Sequence, residues 1–285
     1  LICPEQRNLA DLISVIVTTY NRPDALDAVL RSLAEQTDSD FEVIVADDGS
    51  TAPTKAVLAG WNGRVGRRLV HVWHSHQDFR GGEIRNRGIR SSAGSYCIFL
   101  DGDCLTRADF VAAHRRLAEP GWFVAGNRIL LSRDFTDRIL ADGRRAENSG
   151  LAALAGEKLR GHLNQLRPAL RLPLGPLRKL RRHRWDGAKT CNLAVARSDL
   201  DRVDGFDNSY TGWGLEDSDL MVRLLHAGVG RKDGRFATGV FHLWHPDADR
   251  AGLAENRRRL DNVLASDRIR AERGLSTIPP SRNGI

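Results

Sequence analysis

Two aspartates flank one glycine at Asp101-Gly102-Asp103, directly after the apolar run 95–100. Carboxylates at that spacing at a strand end can present hard oxygen ligands to Mg²⁺ or Mn²⁺, and such an ion can neutralise a departing diphosphate. Gly102 supplies a close backbone approach. Asp and Gly are also ordinary turn formers, so the motif alone leaves a plain turn open. A second acidic cluster, Asp47-Asp48-Gly49-Ser50, ends another apolar run. One of its carboxylates could accept hydrogen bonds from a base N–H or from ribose hydroxyls; the structural alternative is a helix cap or turn. Arg22, Arg80, Arg85 and Arg87 stand on neighbouring connections and could pair with phosphates as well as with these acids.

The third cluster is Gly212-Trp213-Gly214-Leu215-Glu216-Asp217-Ser218-Asp219. Acids favour the first turn of a helix, but a Trp between two glycines is not needed for a cap. A Trp face stacks on a sugar ring, and a carboxylate beside it can take a proton from a sugar hydroxyl. In the fourth, His242-Leu243-Trp244-His245-Pro246, positions three apart on a strand point to opposite faces. At most one imidazole is therefore expected in the site unless the strand ends early; His242 is the choice and His245 the fallback. A hydrogen-bonded structural histidine is the alternative.

These clusters need a scaffold. Runs 13–17, 41–46, 69–73 and 95–100 read as buried strands, with helical patterns after 22–24, around 56–61 and over 83–92. Strand and helix in alternation predict an α/β fold with a largely parallel sheet covered on both faces. Ligands then bind beyond the carboxyl ends of the strands, where Tyr20, Asp48 and Asp101 fall. Further along, 106–117 and 215–226 read as helices, 122–131 as extended, 192–196 and 239–244 as strands, and 253–270 as a terminal helix. Residues 151–184 read as a helix and then a Pro-containing basic loop. The expected organisation is one continuous catalytic domain, followed by a C-terminal helix and tail over 251–285.

The 285 residues, 41% hydrophobic and 28% charged, suffice for a sizeable core, and no apolar run reaches the roughly 18 residues of a membrane span. The chain begins at Leu1, and its first residues do not resemble a signal peptide. Cys3, Cys97, Cys104 and Cys191 lack paired spacing, so free thiols in a reducing cytosol are expected. A net charge of +7 favours polyanions or an anionic membrane surface. Arg167, Arg171, Arg178, Lys179, Arg181, Arg182 and Arg184 alternate with leucines over 166–184, a mixture that suits the inner face of a membrane better than nucleic acid.

Taken in order, residues 15–22, Asp47-Asp48-Gly49-Ser50, Arg85-Asn86-Arg87-Gly88, Asp101-Gly102-Asp103 and Trp213-Gly214-Leu215-Glu216-Asp217 resemble family 2 glycosyltransferases of the GT-A fold, a Rossmann-like mostly parallel sheet flanked by helices. The resemblance spans roughly residues 12 to 246 and implies a nucleotide-sugar-binding half over 1–125 and an acceptor-binding and catalytic half over 126–250. The Gly-Trp-Gly-x-Glu-Asp segment and the later histidine also resemble β-1,4-galactosyltransferases and chondroitin-polymerase-like enzymes. By that resemblance Thr18, Tyr20 and Arg22 line the nucleotide pocket, Asp48 reads the uracil ring, and Asp101 and Gly102 lie near the ribose. Asp78 and Arg85 are further donor contacts, and Asp103 and His242 hold Mn²⁺ or Mg²⁺. Asp217 is implied as general base, with Trp213, Gly214 and Glu216 holding the acceptor.

The implied reaction is inverting transfer of a hexose or N-acetylhexosamine from a UDP-sugar to a hydroxyl of a glycan or lipid-linked glycan, in bacterial surface polysaccharide or lipopolysaccharide synthesis. One departure stands out: Gly81-Gly82-Glu83-Ile84 puts an acid near the expected diphosphate path, where many members carry small residues. Two other classes remain at this point. A nucleotidyltransferase would release pyrophosphate, and a non-enzymatic polyanion-binding module would bind irrespective of Mn²⁺.

Overall fold

A computed structural model describes residues 10–279 of the chain; Cys3 lies outside them. The first half alternates β1 (Ile13–Thr19), α1 (Pro23–Ala34), β2 (Phe41–Asp47), α2 (Ala52–Trp61), β3 (Leu69–Trp73), α3 (Gly81–Ser91) and β4 (Tyr96–Asp101). Then come β5 (Cys104–Leu105), α4 (Phe110–Leu117), β6 (Trp122–Ala125), β7 (Arg128–Leu130), α5 (Arg133–Asp142) and α6 (Leu151–Leu159). The remainder holds β8 (Asn192–Ala196), α7 (Arg197–Arg202), α8 (Glu216–His226), β9 (Gly230–Asp233), β10 (Val240–His242) and α9 (Leu253–Leu264).

Seven strands form one sheet in the order β3-β2-β1-β4-β8-β6-β9. Its pairs are parallel except those of β8, which runs against both β4 and β6. The largely parallel sheet read from the sequence is therefore present. Side chains alternate between its faces: Val15, Val17, Val43 and Val45 join α1 in one apolar layer, while Ile16, Ile44 and Ala46 meet α3 and α8 in the other. Burial on both faces is why these strands are nearly unbroken apolar runs. Helix α1 starts on Pro23, whose missing N–H costs nothing there, and buries Leu26, Val29, Leu30 and Leu33 at helical spacing.

A small second sheet, β5-β10-β7, lies past the carboxyl end of β4. It pairs His242 with Cys104, which fixes His242 beside Asp103.

Three expected elements differ from those observed. The extended run 122–131 is two strands in different sheets, broken at Gly126-Asn127, where the Asn192 side chain donates to the Asn127 and Thr238 carbonyls. The terminal helix stops at Leu264 instead of reaching 270. Asp207 captures the backbone N–H of Glu272, and Asp204 that of Ser276, drawing the chain back onto the body. The helix expected over 106–117 begins only at Phe110, because the Thr106 N–H is tied to the Ser32 hydroxyl. In the stretch 151–184 only α6 is a full helix, followed by irregular chain with short 3₁₀ turns. Among the described residues no helix is long and apolar enough to cross a membrane.

Candidate active site

The carboxyl ends of β1, β2 and β4 open onto a cavity of about 480 Å³. Its wall brings together Thr18, Tyr20, Arg22, Asp48, Arg85, Asp101, Gly102 and Asp103 with Trp213, Gly214, Glu216 and Asp217. Of the residues that the resemblance assigns to the site, only Asp78 and His242 are absent from that wall. Asp78 is exposed in a left-handed turn (φ 59), and its neighbour Phe79 supplies the wall instead. His242 is buried behind Asp103.

Gly102 presses the end of β4 onto β1. Its N–H donates to the Thr18 carbonyl at 2.7 Å, and a Cβ there would stand 2.9 Å from that oxygen. Asp101 and Asp103 are thereby held on either side of a fixed point. The His242 Nε2 lies 3.6 Å from one Asp103 oxygen and the His245 Nε2 lies 3.5 Å from the other. Strand β10 ends at His242, and the Leu243 N–H donates to the Asp103 carbonyl at 2.9 Å. The chain thus leaves strand geometry, and His245 returns to the same carboxylate. The early end of the strand is the condition under which both imidazoles could reach one carboxylate, and both lie beside Asp103.

These donors suit a divalent cation. Burial holds His242 below the ordinary imidazole range, partly offset by Asp103, so a ring lone pair is available. Cys104 lies 3.7 Å from Asp103 Oδ1, but burial and the neighbouring Cys191 push its thiol well above the usual range. Hard cations such as Mn²⁺ and Mg²⁺ favour oxygen and imidazole donors over a thiol. The carboxylate and imidazole donors that remain fit Mn²⁺, and with more water in the shell Mg²⁺.

On the nucleotide side, the Asp48 carboxylate is fixed by His74 Nε2 at 2.5 Å and by the Arg80 N–H at 3.2 Å. Tyr20 stacks on His76, with ring centroids 4.2 Å apart. The hydroxyls of Thr18 and Thr19 are buried without a hydrogen-bond partner among the described residues, although both residues line the cavity. Buried hydroxyls left in that state are poised for a ligand. Glu83 turns away from the cavity. Pairing with His74 and Arg87 holds it down to about 2, against the cost of burial, so the acid near the expected diphosphate path is engaged away from Arg85.

Arg85 joins the two halves of the site. Buried on α3, it reaches Glu216 at 3.0 Å and Asp101 at 3.3 Å. Burial and the nearby Asp217 push the Glu216 carboxyl above its usual range, and Arg85 offsets part of that rise.

The turn before α8 places Gly212, Gly214 and Leu215 at φ of 70, 104 and 76. A leucine in the left-handed region stores strain. The Asn256 amide pins the turn by donating to the Thr211 and Gly214 carbonyls. The turn delivers Trp213 to the cavity, with Arg250 5.3 Å from its ring centroid. Asp217 Oδ1 accepts from the Ser218 N–H at 2.7 Å, and its Oδ2 faces Lys189 at 3.7 Å. Asp219 points instead into the core, where it is fully buried against Arg223. Of the three acids that open α8, Glu216 and Asp217 alone belong to the cavity.

Residues 14–165, more than half of the chain, match the family model described as glycosyl transferase family 2. The chain belongs to that family. Residues 179–245 of this family 2 glycosyltransferase match a second model, described as the N-terminal domain of galactosyltransferase. Validoxylamine A glucosyltransferase of Streptomyces hygroscopicus subsp. jinggangensis is 31% identical over 80% of the chain and 55% of its own length. The Pasteurella multocida hyaluronan synthase is 27% identical over 80% of the chain and 24% of its length. The chain thus spans about half the length of the first curated relatives it matches, and less of the synthase.

In fold it is similar to S. aureus TarS solved with UDP (TM-score 0.60, 15% identity, 90% of this chain and 66% of that one). It is also similar to a mannosyltransferase of Pyrobaculum calidifontis solved with GDP-Man and Mn²⁺ (TM-score 0.55, 19% identity, 90% and 63%). The fold is GT-A. Membership in a glycosyltransferase family favours glycosyl transfer over nucleotidyl transfer and bare polyanion binding.

The basic segment of this glycosyltransferase is less free than its sequence suggests. Arg178 is buried and donates to the carbonyls of Leu172, Asp233 and Arg235. Arg171, Lys179 and Arg184 pair with Asp109, Glu119 and Asp186. Exposed Leu177 and Leu180 remain beside Arg181 and Arg182.

Proposed function

We propose that this enzyme transfers a hexose or N-acetylhexosamine from a UDP-sugar, with inversion, to a hydroxyl of a glycan or lipid-linked glycan in bacterial surface polysaccharide or lipopolysaccharide synthesis. The observation that carries this reading is that Asp103 and His245, backed by the buried His242, share one cavity with Asp217 and Trp213. It is supported by similar folds solved with UDP and with UDP-GlcNAc, by one solved with Mn²⁺, and by the glucosyltransferase relative.

Asp48 accepts a base N–H, Tyr20 and Arg22 flank the nucleoside, and the Thr18 and Asp101 side chains face the ribose. Asp103 and His242, with His245 as a further donor, would hold a Mn²⁺ or Mg²⁺ ion, whose positive charge would offset that of the leaving diphosphate. Trp213 stacks on the acceptor sugar and Arg85 fixes Glu216 beneath it. Asp217 takes the proton of the acceptor hydroxyl as its oxygen bonds to the anomeric carbon, and the bond to the UDP oxygen breaks on the opposite side. The protein incubated with Mn²⁺ and a panel of UDP-sugars is expected to release UDP, measured by coupled assay, fastest with one of them. Turnover confined to nucleoside triphosphates, with pyrophosphate as product, would sink the reading.

The surface around Leu177 and Leu180 forms the second part of the proposal, an anionic inner membrane face where a lipid-linked acceptor resides. Two exposed leucines beside two arginines combine apolar insertion with charge attraction. Co-sedimentation with vesicles containing anionic lipid is expected, and Arg181→Glu with Arg182→Glu should reduce it. Equal binding to neutral vesicles would remove this surface from the reading.

A further inference from the structure

Behind the cavity wall at Asp48 lies a buried imidazole that the reaction above does not use. His74 follows β3, and its Nε2 sits 2.5 Å from Asp48 Oδ1. Its Nδ1 faces Glu83 Oε1 at 3.6 Å and has no hydrogen-bond partner among the described residues. Glu83 is tied in turn to Arg80 at 3.1 Å and to Arg87 at 2.8 Å. The second Asp48 oxygen accepts from the Arg80 N–H. A carboxylate offers about four acceptor directions, so two held by protein donors leave others for a ligand. Asp48 lines the cavity, where such a ligand sits.

We propose that His74 is a positioning residue for base recognition: seated against Glu83, it donates to Asp48 Oδ1 and sets the rotation of the carboxylate that meets the nucleotide. The inference rests on the reading of Asp48 as the acceptor of a base N–H. A fixed acceptor there favours uracil, whose N3 carries a proton, over cytosine, whose N3 is itself an acceptor. Unlike-charge or donor–acceptor matches of this kind discriminate because the mismatched pair leaves a buried polar group unsatisfied.

The protonation of His74 fits this role. Burial opposes a charged imidazole, but hydrogen bonding to Asp48 and pairing with Glu83 outweigh it and raise His74 above its ordinary value. The charged groups facing it are Asp48, Glu83 and Arg80, with the His71–Asp47 pair next along the same strands at 3.0 Å. The imidazolium is therefore fully present below the ordinary histidine value and is lost as pH rises through the raised one. UDP affinity should fall over that rise.

The test is calorimetric titration of UDP and of CDP, with Mn²⁺ present, from about pH 6 to about pH 9. The unsubstituted protein should prefer UDP by roughly tenfold or more. His74→Leu should lose roughly tenfold in UDP affinity with CDP unchanged. His74→Gln keeps a donor near the Nε2 position but cannot titrate, so it should restore the UDP preference and abolish the pH slope. An unchanged UDP-to-CDP ratio in His74→Leu, or a pH slope of full size in His74→Gln, overturns the proposal. If the leucine variant does not fold, the slope in the glutamine variant decides alone. An unsubstituted protein indifferent between UDP and CDP, or an Asp48→Asn variant that keeps the preference, overturns the reading of Asp48 and this inference with it.

Discussion

Asp217→Asn is expected to slow sugar transfer by roughly 10²- to 10⁴-fold while leaving UDP affinity within about twofold. The range is that of a positioned general base, and the sparing of donor binding follows from where the residue sits. Asp217 stands at the start of α8, on the Trp213 side of the cavity, with its carboxylate oriented by the Ser218 N–H and faced by Lys189. The residues proposed to hold the nucleotide lie at the carboxyl ends of β1, β2 and β4. Asparagine preserves size and can still bond to Ser218, so the turn and the helix should survive. Steady-state transfer rates combined with UDP titration separate the two effects. Near-normal transfer by folded Asp217→Asn would transfer the proton-accepting role elsewhere, with Glu216 the nearest carboxylate. Glu216 is a weaker choice because Arg85 already engages it at 3.0 Å.

Much of this arrangement is legible in the sequence because the strands are buried on both faces and the acids follow them directly. Apolar runs leading into Asp47-Asp48 and Asp101-Gly102-Asp103 fix both the strand and the end at which its polar residues emerge. Other features depend on contacts that no local pattern encodes. The Arg85–Glu216 pair spans 131 positions, and His74 is one of three histidines over 71–76, with nothing local to show that its partners are Asp48 and Glu83. The second imidazole at Asp103 stands in the sequence only as a fallback, because alternation along a strand gives the face of a residue but not where the strand stops. Pro246 was the available signal. The split of 122–131 into two sheets was hidden for a similar reason: both segments are extended, and only the Asn192 side chain between them separates their pairing. Leu215 in a left-handed conformation carries no signature either, since glycine is the residue that ordinarily marks such a position.

Asp103→Asn should cost at least about 10²-fold in transfer and weaken Mn²⁺ binding to a similar degree, whereas Asp101→Asn should leave Mn²⁺ binding largely intact. The distinction comes from partners. Asp103 faces two imidazoles, one on each carboxylate oxygen, and is partly open to the cavity. Asp101 is turned to Arg85 at 3.3 Å, and a carboxylate already paired with a guanidinium has less to offer a cation. The two aspartates are only one glycine apart, so a nonspecific loss of negative charge would affect both variants alike. Titration of Mn²⁺ into each variant, followed by its paramagnetic resonance signal, reads binding without reference to turnover. His242→Ala and His245→Ala extend the comparison. Both should weaken Mn²⁺, with the buried His242 the more costly loss because the main-chain pairing of β10 with β5 holds it at Asp103 without rotational freedom to spare. Equal Mn²⁺ affinity in Asp103→Asn and the unsubstituted protein would place the ion elsewhere and leave the aspartate, glycine and aspartate as the turn that their sequence alone also permits.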